Sequence, residues 1–292
     1  MLLDYHNRRF VIKDIARMCN VSTQTVSRVV NNRHDVSPET RKHIERVIAE
    51  TGYKPSPHAR SLVNQRKNGI IKTMNSEVSM KIKPNNIWVM AGDSITACQR
   101  DVSNPENLGN GYVSFVDGLL TACYPSHHIR VLNRGVPGDT VRDLKARWQT
   151  DVLDLHPDWL SVCIGINDVW QKFDGKHEGQ SLVTLNEYEQ TLDELLSNVK
   201  TMLKGLILMT PYFIQPRGEP MRMMMDEYGK AVQRLAQKHH AIFVDTQSVF
   251  DRAVEFTSVE TLAWDRAHLN IPGHMILARA VLQSVDFTWS IE

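Results

Sequence analysis

The chain has 292 residues, 42% hydrophobic and 23% charged, with a net charge of +1. That is ordinary globular usage; it excludes a disordered or fibrous chain and gives length for about two domains. No apolar stretch reaches the ~18 residues of a membrane-spanning helix, and the opening MLLDYHNRRF lacks the apolar core of a signal peptide, so a cytoplasmic location without membrane association is expected.

The near-neutral total hides an asymmetry. Residues 1–70 carry 13 Lys and Arg against 6 Asp and Glu, and the remainder carries 21 against 27, so the two parts meet different partners. Cys19, Cys98, Cys123 and Cys163 form no C-x-x-C pair, which argues against a zinc ribbon and a disulfide framework and leaves reduced thiols.

Val11 to Cys19 places Ile12, Ile15, Ala16 and Cys19 at helical spacing, and Asn20-Val21 makes a break. Ser22 then N-caps a second helix with Val26, Val29 and Val30 inward, and Ser37-Pro38 starts a third that Gly52 closes. Three short helices with a tight first turn have the plan of a helix-turn-helix. The outward positions of the second helix, Thr23, Gln24, Ser27 and Arg28, suit base edges and phosphates, because Gln pairs bidentately with adenine and Arg with guanine. At NVSTQTVSRVVN and ETGYKPSPHARSL the segment resembles the DNA-binding headpiece of lac-repressor-type regulators over residues 11–66. The resemblance implies DNA contacts from Ser22, Thr23, Gln24, Ser27 and Arg28, and a hinge helix whose leucine, here Leu62, wedges into the minor groove when two subunits pair on DNA. The sugar-binding sensor domain that follows in that family is missing.

Residues 67–85 are polar and poorly periodic and read as a linker between a headpiece at 1–66 and a second domain at 86–292. In the second domain IWVMA, IRVLN, WLSVCIGI, LILMT and IFVDT are strand candidates. They alternate with amphipathic helices in NGYVSFVDGLLTACY, DTVRDLKARWQTDVL, LNEYEQTLDELLSNVKTML and PMRMMMDEYGKAVQRLAQKH. The alternation predicts an α/β fold, a three-layer α/β/α sandwich on a parallel sheet, beside the small all-α unit.

The polar motifs fall after the strands, where such sheets bind ligands. Ser94 follows the first, Gly138 the second and Asn167 the third; Asp265 and His268 come after the fifth. A hydroxyl that attacks an ester needs a base, a group that fixes the base's tautomer, and donors for the oxyanion. His268, with Asp265 three residues earlier in a helical turn, meets the first two needs. The N–H groups of Ser94 and Gly138 and the amide of Asn167 meet the third. Asp93 and Asp168 buttress the site's loops, and Trp170 and Trp264 flank it, either as a sugar-stacking platform or as simple packing. His127-His128 and His239-His240 read as surface residues rather than metal ligands, and no metal or cofactor is implied.

On GDSIT, the Gly135–Gly138 pair, GIND and DRAH, residues 86–287 resemble the GDSL-type serine hydrolases, also called SGNH hydrolases, which implies Ser94, Asp265 and His268 as triad and Ser94, Gly138 and Asn167 as oxyanion hole. LGNGYV, NDVWQ, ILMTPY, MDEYG and LAWDRAH resemble the branch containing acetylxylan esterases. From that branch the chain departs at Ala97, Gln99 and Leu269. The expected activity is a serine esterase acting on an acylated carbohydrate, with double-stranded DNA, on a palindromic operator, and a second copy of the chain as partners. The competing reading is a transcription regulator that uses the hydrolase fold as effector-binding and dimerisation module.

Overall fold

The computed structural model describes residues 10–30, 36–51, 53 and 79–289. The chain divides into two compact units between Val78 and Ser79.

The first unit contains α1 (Ile12–Met18), α2 (Thr23–Val30) and α3 (Pro38–Thr51). Their apolar stripes meet in a core of Ile15, Ala16, Cys19, Val26, Val29, Ile44 and Val47. The turn between α1 and α2 places Asn20 at φ 54°, a left-handed conformation that Asn tolerates better than most residues. Ser22 caps α2 as its sequence signals: its Oγ accepts from the Thr25 amide at 3.0 Å. Leu62 and the hinge lie outside the described residues.

In the second unit five parallel strands stand in the order β2-β1-β3-β4-β5: β1 (Ile87–Gly92), β2 (Arg130–Gly135), β3 (Trp159–Cys163), β4 (Gly205–Met209) and β5 (Ile242–Val244). Apart from β2, which carries Arg130, Asn133 and Arg134, they are mostly apolar, as suits strands covered by helices on both faces. Between them come α4 (Ser94–Ala97), α5 (Tyr112–Cys123), α6 (Val141–Ala146), α7 (Trp148–Asp151), α8 (Ile166–Trp170), α9 (Leu185–Val199) and α10 (Pro220–His239). After β5 follow α11 (Thr246–Ala253), α12 (Val259–Leu262) and α13 (Ile271–Ser284). Helix α13 packs on α5 and α11, and α9 packs on α6 and α10, forming the outer layers around buried Trp88, Tyr112, Tyr188, Tyr212, Tyr228 and Phe250. Strand order reverses direction at β1, so the carboxyl ends of β1, β2 and β3 open a crevice where doubly wound sheets bind ligands.

Three sequence expectations are corrected. Residues 79–85, read as linker, belong to the second unit: Met80 and Ile82 are buried in its core, and the Lys81 amide donates to the Val285 carbonyl at 2.9 Å. The helix expected through DTVRDLKARWQTDVL is split into α6 and α7 at Arg147, whose backbone leaves the helical region at φ −109°, ψ 7°. His239, read as a surface residue, is buried on the inner face of α10 with its Nε2 2.8 Å from Asp193 Oδ1, whereas His240 caps the helix in a left-handed conformation.

β1, β2 and α4 approach so closely that side chains are excluded between them. A Cβ on Gly135 would lie 2.7 Å from the Ala97 Cα and closer still to its amide nitrogen. Backbone cannot yield as a flexible side chain does. Gly135→Ala is therefore expected to destabilise the second unit by ~1–3 kcal/mol, the usual range for overpacking. Urea unfolding measures it; an unchanged midpoint contradicts the packing.

Candidate active site

Ser94 opens α4 directly after β1, with Asp93 as N-cap: the Asp93 carboxylate accepts from the Ile95 amide at 3.0 Å. Its Oγ lies 3.0 Å from His268 Nε2, and His268 Nδ1 lies 2.6 Å from Asp265 Oδ2. The carboxylate accepts a hydrogen bond from Nδ1–H and so fixes the tautomer, which leaves Nε2 as an acceptor for the serine hydroxyl. Residues 174 apart in sequence thus make one hydrogen-bonded chain.

Asp265 and His268 sit in a loop rather than the expected helical turn. Asp265 Oδ1 accepts from the amides of Ala267 (3.1 Å) and His268 (2.7 Å), Arg266 takes φ 72°, and an isolated bridge joins Ala263 to Leu269. The buried Tyr212 hydroxyl donates to the Ala267 carbonyl at 2.8 Å and anchors this loop to the core. Trp264 stacks on the imidazole, with ring centroids 5.1 Å apart and planes 15° apart, and is itself 70% exposed. Trp170 is half-buried and packs edge-on against Phe213, so of the two expected platform residues Trp264 presents more surface.

Gly138 is exposed after β2 at φ 87°, with open space around its Cα, so glycine is required there by conformation and not by crowding. Asn167 lies in the first turn of α8 after β3, and one hydrogen of its amide goes to the Asp139 carbonyl at 2.9 Å, leaving the other to donate. Such an arrangement can move a proton off Ser94 and meet negative charge on an acyl oxygen. Among the described residues no group of three or more His, Cys, Asp or Glu is arranged to hold a metal ion.

Supporting residues escaped the sequence reading. Asn133, fully buried within β2, donates to the Thr96 and Leu108 carbonyls at 2.8 Å and accepts from the Gly135 amide. A polar residue closing an apolar run was its only signal. His274 on α13 accepts from the Tyr112 amide through Nδ1, so Nε2 carries the proton toward Cys98 Sγ, 3.2 Å away. Burial, and then the nearby His268, push the His274 pKa down to about 4.

In the first unit Ser22, Thr23, Gln24 and Arg28 are exposed and Ser27 is half-buried, on one side of the apolar stripe of α2.

A family model described as GDSL-like Lipase/Acylhydrolase matches residues 90–276. The chain belongs to that family. It is a serine hydrolase of the SGNH type, and residues 11–56 match bacterial regulatory proteins of the lacI family. An acetylxylan esterase from Geobacillus stearothermophilus is 47% identical over 217 residues, 72% of this chain and 98% of that one. Its crystal structure superposes with a TM-score of 0.70 at 47% identity, covering 72% of this chain and 99% of that one. Other structures of that esterase are described as catalytic mutants in which a serine, an aspartate or a histidine is replaced by alanine. An alpha/beta hydrolase from the metagenome of Lake Arreo, Spain, is 42% identical, with a TM-score of 0.69 over 71% of this chain and 98% of that one. The ribose operon repressor of Haemophilus influenzae is 38% identical over 125 residues, 38% of this chain and 36% of that one. Among the described residues no helix is long and apolar enough to cross a membrane.

Two buried carboxylates sit behind the serine hydrolase site. Burial, Asp93's first cause, with the neighbouring Asp168 and Asp139 charges, pushes its pKa up to about 7; burial likewise raises Asp168 to about 7. The folded state therefore holds these protons more tightly than the unfolded chain, where carboxylates titrate near ~3.9. The stability linked to them is fully present below about pH 4 and is lost as pH rises through about 7. Asn in place of Asp93 keeps an acceptor for Ile95 and has no proton to lose. The melting temperature of Asp93→Asn should gain on that of the unsubstituted chain between pH 4 and 8; a constant difference across that range contradicts the shift.

Proposed function

We propose that the second unit removes acetyl or other short acyl groups from carbohydrate, with acetylated xylo-oligosaccharides as the leading substrate class. The reading rests above all on the hydrogen-bonded chain from Ser94 through His268 to Asp265 at the open edge of the sheet. The acetylxylan esterase relative, covered almost from end to end, supplies the substrate class.

Ser94 Oγ attacks the acyl carbonyl carbon while its proton passes to His268 Nε2, and Asp265 stabilises the imidazolium that forms. The carbonyl oxygen, now negative, is met by the N–H groups of Ser94 and Gly138 and the free amide hydrogen of Asn167. Collapse breaks the ester bond, the sugar oxygen leaves with the proton from Nε2, and an acyl-Ser94 remains. Water then loses a proton to Nε2 and attacks the acyl carbon; release of the acid returns the proton to Ser94. The exposed Trp264 indole offers an apolar platform for the sugar ring beside the base, with Trp170 the second flanking residue.

Ser94→Ala is expected to abolish release of acetate from acetylated xylo-oligosaccharide with the circular dichroism spectrum unchanged, His268→Ala to be similarly severe, and Asn167→Ala to lower turnover ~10²- to 10³-fold. Acetate release by Ser94→Ala at the unsubstituted rate overturns the assignment.

The lacI-family match supports a second activity for the same chain, DNA binding through Ser22, Thr23, Gln24, Ser27 and Arg28, with Leu62 as the minor-groove wedge. One such helix reads few base pairs, so useful affinity needs two copies on a palindrome. Affinity should fall steeply with salt through counterion release, and Gln24→Ala should relax preference at one position by ~1–3 kcal/mol. Selection from random duplexes, followed by titration at two salt concentrations, tests this. Recovery of no preferred site by a dimeric sample leaves the chain as an esterase alone. Recovery of a site whose affinity changes when acetylated oligosaccharide binds favours the regulator reading, with the hydrolase fold as effector sensor.

A further inference from the structure

Arg147 interrupts the helix after the second strand and turns its side chain inward, leaving 16% of it exposed. Its guanidinium donates to four groups: Nε to Asp139 Oδ2 at 2.7 Å, Nη1 to the Arg134 carbonyl at 2.9 Å and to Asp151 Oδ2 at 2.8 Å, and Nη2 to the Gly92 carbonyl at 3.0 Å. Gly92 lies two residues before Ser94, and Arg134 is the penultimate residue of β2, ahead of the loop that carries Gly138. Asp139 follows Gly138, and its own carbonyl takes the Asn167 amide proton at 2.9 Å. One rigid planar cation therefore spans the end of the strand that delivers the serine, the end of its neighbour, and the loop between the two remaining oxyanion donors.

The geometry points to Arg147 as a positioning residue of the oxyanion hole: it sets Gly138 and Asn167 against Ser94 through Asp139 and the Gly92 carbonyl. This rests on the serine hydrolase reading of the site. A lysine cannot do the same work, since an ammonium is a point charge without the planar fork that reaches two carbonyls and two carboxylates at once. Charge adds to geometry. Arg147 acts to lower the Asp93 and Asp139 pKa values that burial raises.

Donors misplaced by a fraction of an ångström lose strength in the transition state more than in the ground state, so the loss falls on kcat. The test uses the full chain with 4-nitrophenyl acetate and measures kcat, KM and melting temperature for Arg147→Met, Arg147→Lys, Asn167→Ala, Ser94→Ala and the pairs of each Arg147 variant with Asn167→Ala. Arg147→Met is expected to lower kcat ~10- to 100-fold with KM within ~3-fold, and Arg147→Lys ~10-fold, somewhat below the ~10²- to 10³-fold of a deleted oxyanion donor. In the Asn167→Ala background either change should cost only ~3-fold, because residues acting as one unit are not additive. Arg147→Lys carries the test if the methionine variant does not fold. Full additivity of the two losses, a loss confined to KM, or a lowered melting temperature with kcat unchanged overturns the inference. Undiminished hydrolysis by Ser94→Ala overturns the reading of the site and the inference with it, whereas inactive Ser94→Ala beside additive losses overturns the inference alone.

Discussion

The close approach of backbones at the carboxyl ends of β1, β2 and β3 is the constraint on which the site depends. Gly92 and Gly135 pair across β1 and β2, and Gly92 also pairs with Cys163 on β3. A Cβ on Gly92 would collide with the Cys163 carbonyl and Thr96, and one on Gly135 with α4. Without side chains in that seam, α4 settles onto the ends of the strands and carries Ser94 to the rim. The loops after β2 and β3 then reach the same spot from either side, as the strand order 2-1-3 requires.

Drawing backbone ends together concentrates polar groups where water is scarce, and the protein answers with long-range hydrogen bonds rather than apolar filling. Asn133 ties β2 to the carbonyl of Thr96, Tyr212 ties the core to the loop of Asp265 and His268, and Asp168 accepts from the Val141 amide at 3.0 Å. Each of these side chains is nearly or fully buried. A buried polar group left unpaired costs ~1–3 kcal/mol, so each link is as much an obligation as a support. The acidic residues are the least comfortable members of this shell, and burial pushes the Asp93 and Asp168 pKa values up.

Most of the fold was legible because its strands are short apolar runs bounded by turns and its longer helices carry clean apolar stripes. Pro220–His239 was read to the residue. The residues of the candidate site could be named from sequence because each follows a strand, and topology brings strand ends together. Less visible were features decided by single hydrogen bonds. Spacing of three suggested a helical turn for Asp265 and His268, but Asp265 Oδ1 captures two amides and bends the chain into a loop. Polar neighbours hid the burial of Met80 and Ile82. His239 and His240 look alike in sequence, yet adjacent positions on a helix lie ~100° apart, and only the first continues the stripe of Leu235 and Ala236. A lone arginine in an amphipathic helix reads as solvated surface, and nothing local reveals that Arg147 points at distant carbonyls.

The span of 174 residues between Ser94 and His268 has a consequence for the life of the chain on the ribosome. At ~5–20 residues per second, roughly 10 to 35 s separate synthesis of the hydroxyl from synthesis of the imidazole. Throughout that interval the nascent chain carries Ser94 without the His268 imidazole that hydrogen-bonds to it in the fold. The three described helices of the first unit end at Thr51 and have no such wait. Translation thus delivers the two units in a fixed order, the helical unit first and the hydrolase unit last.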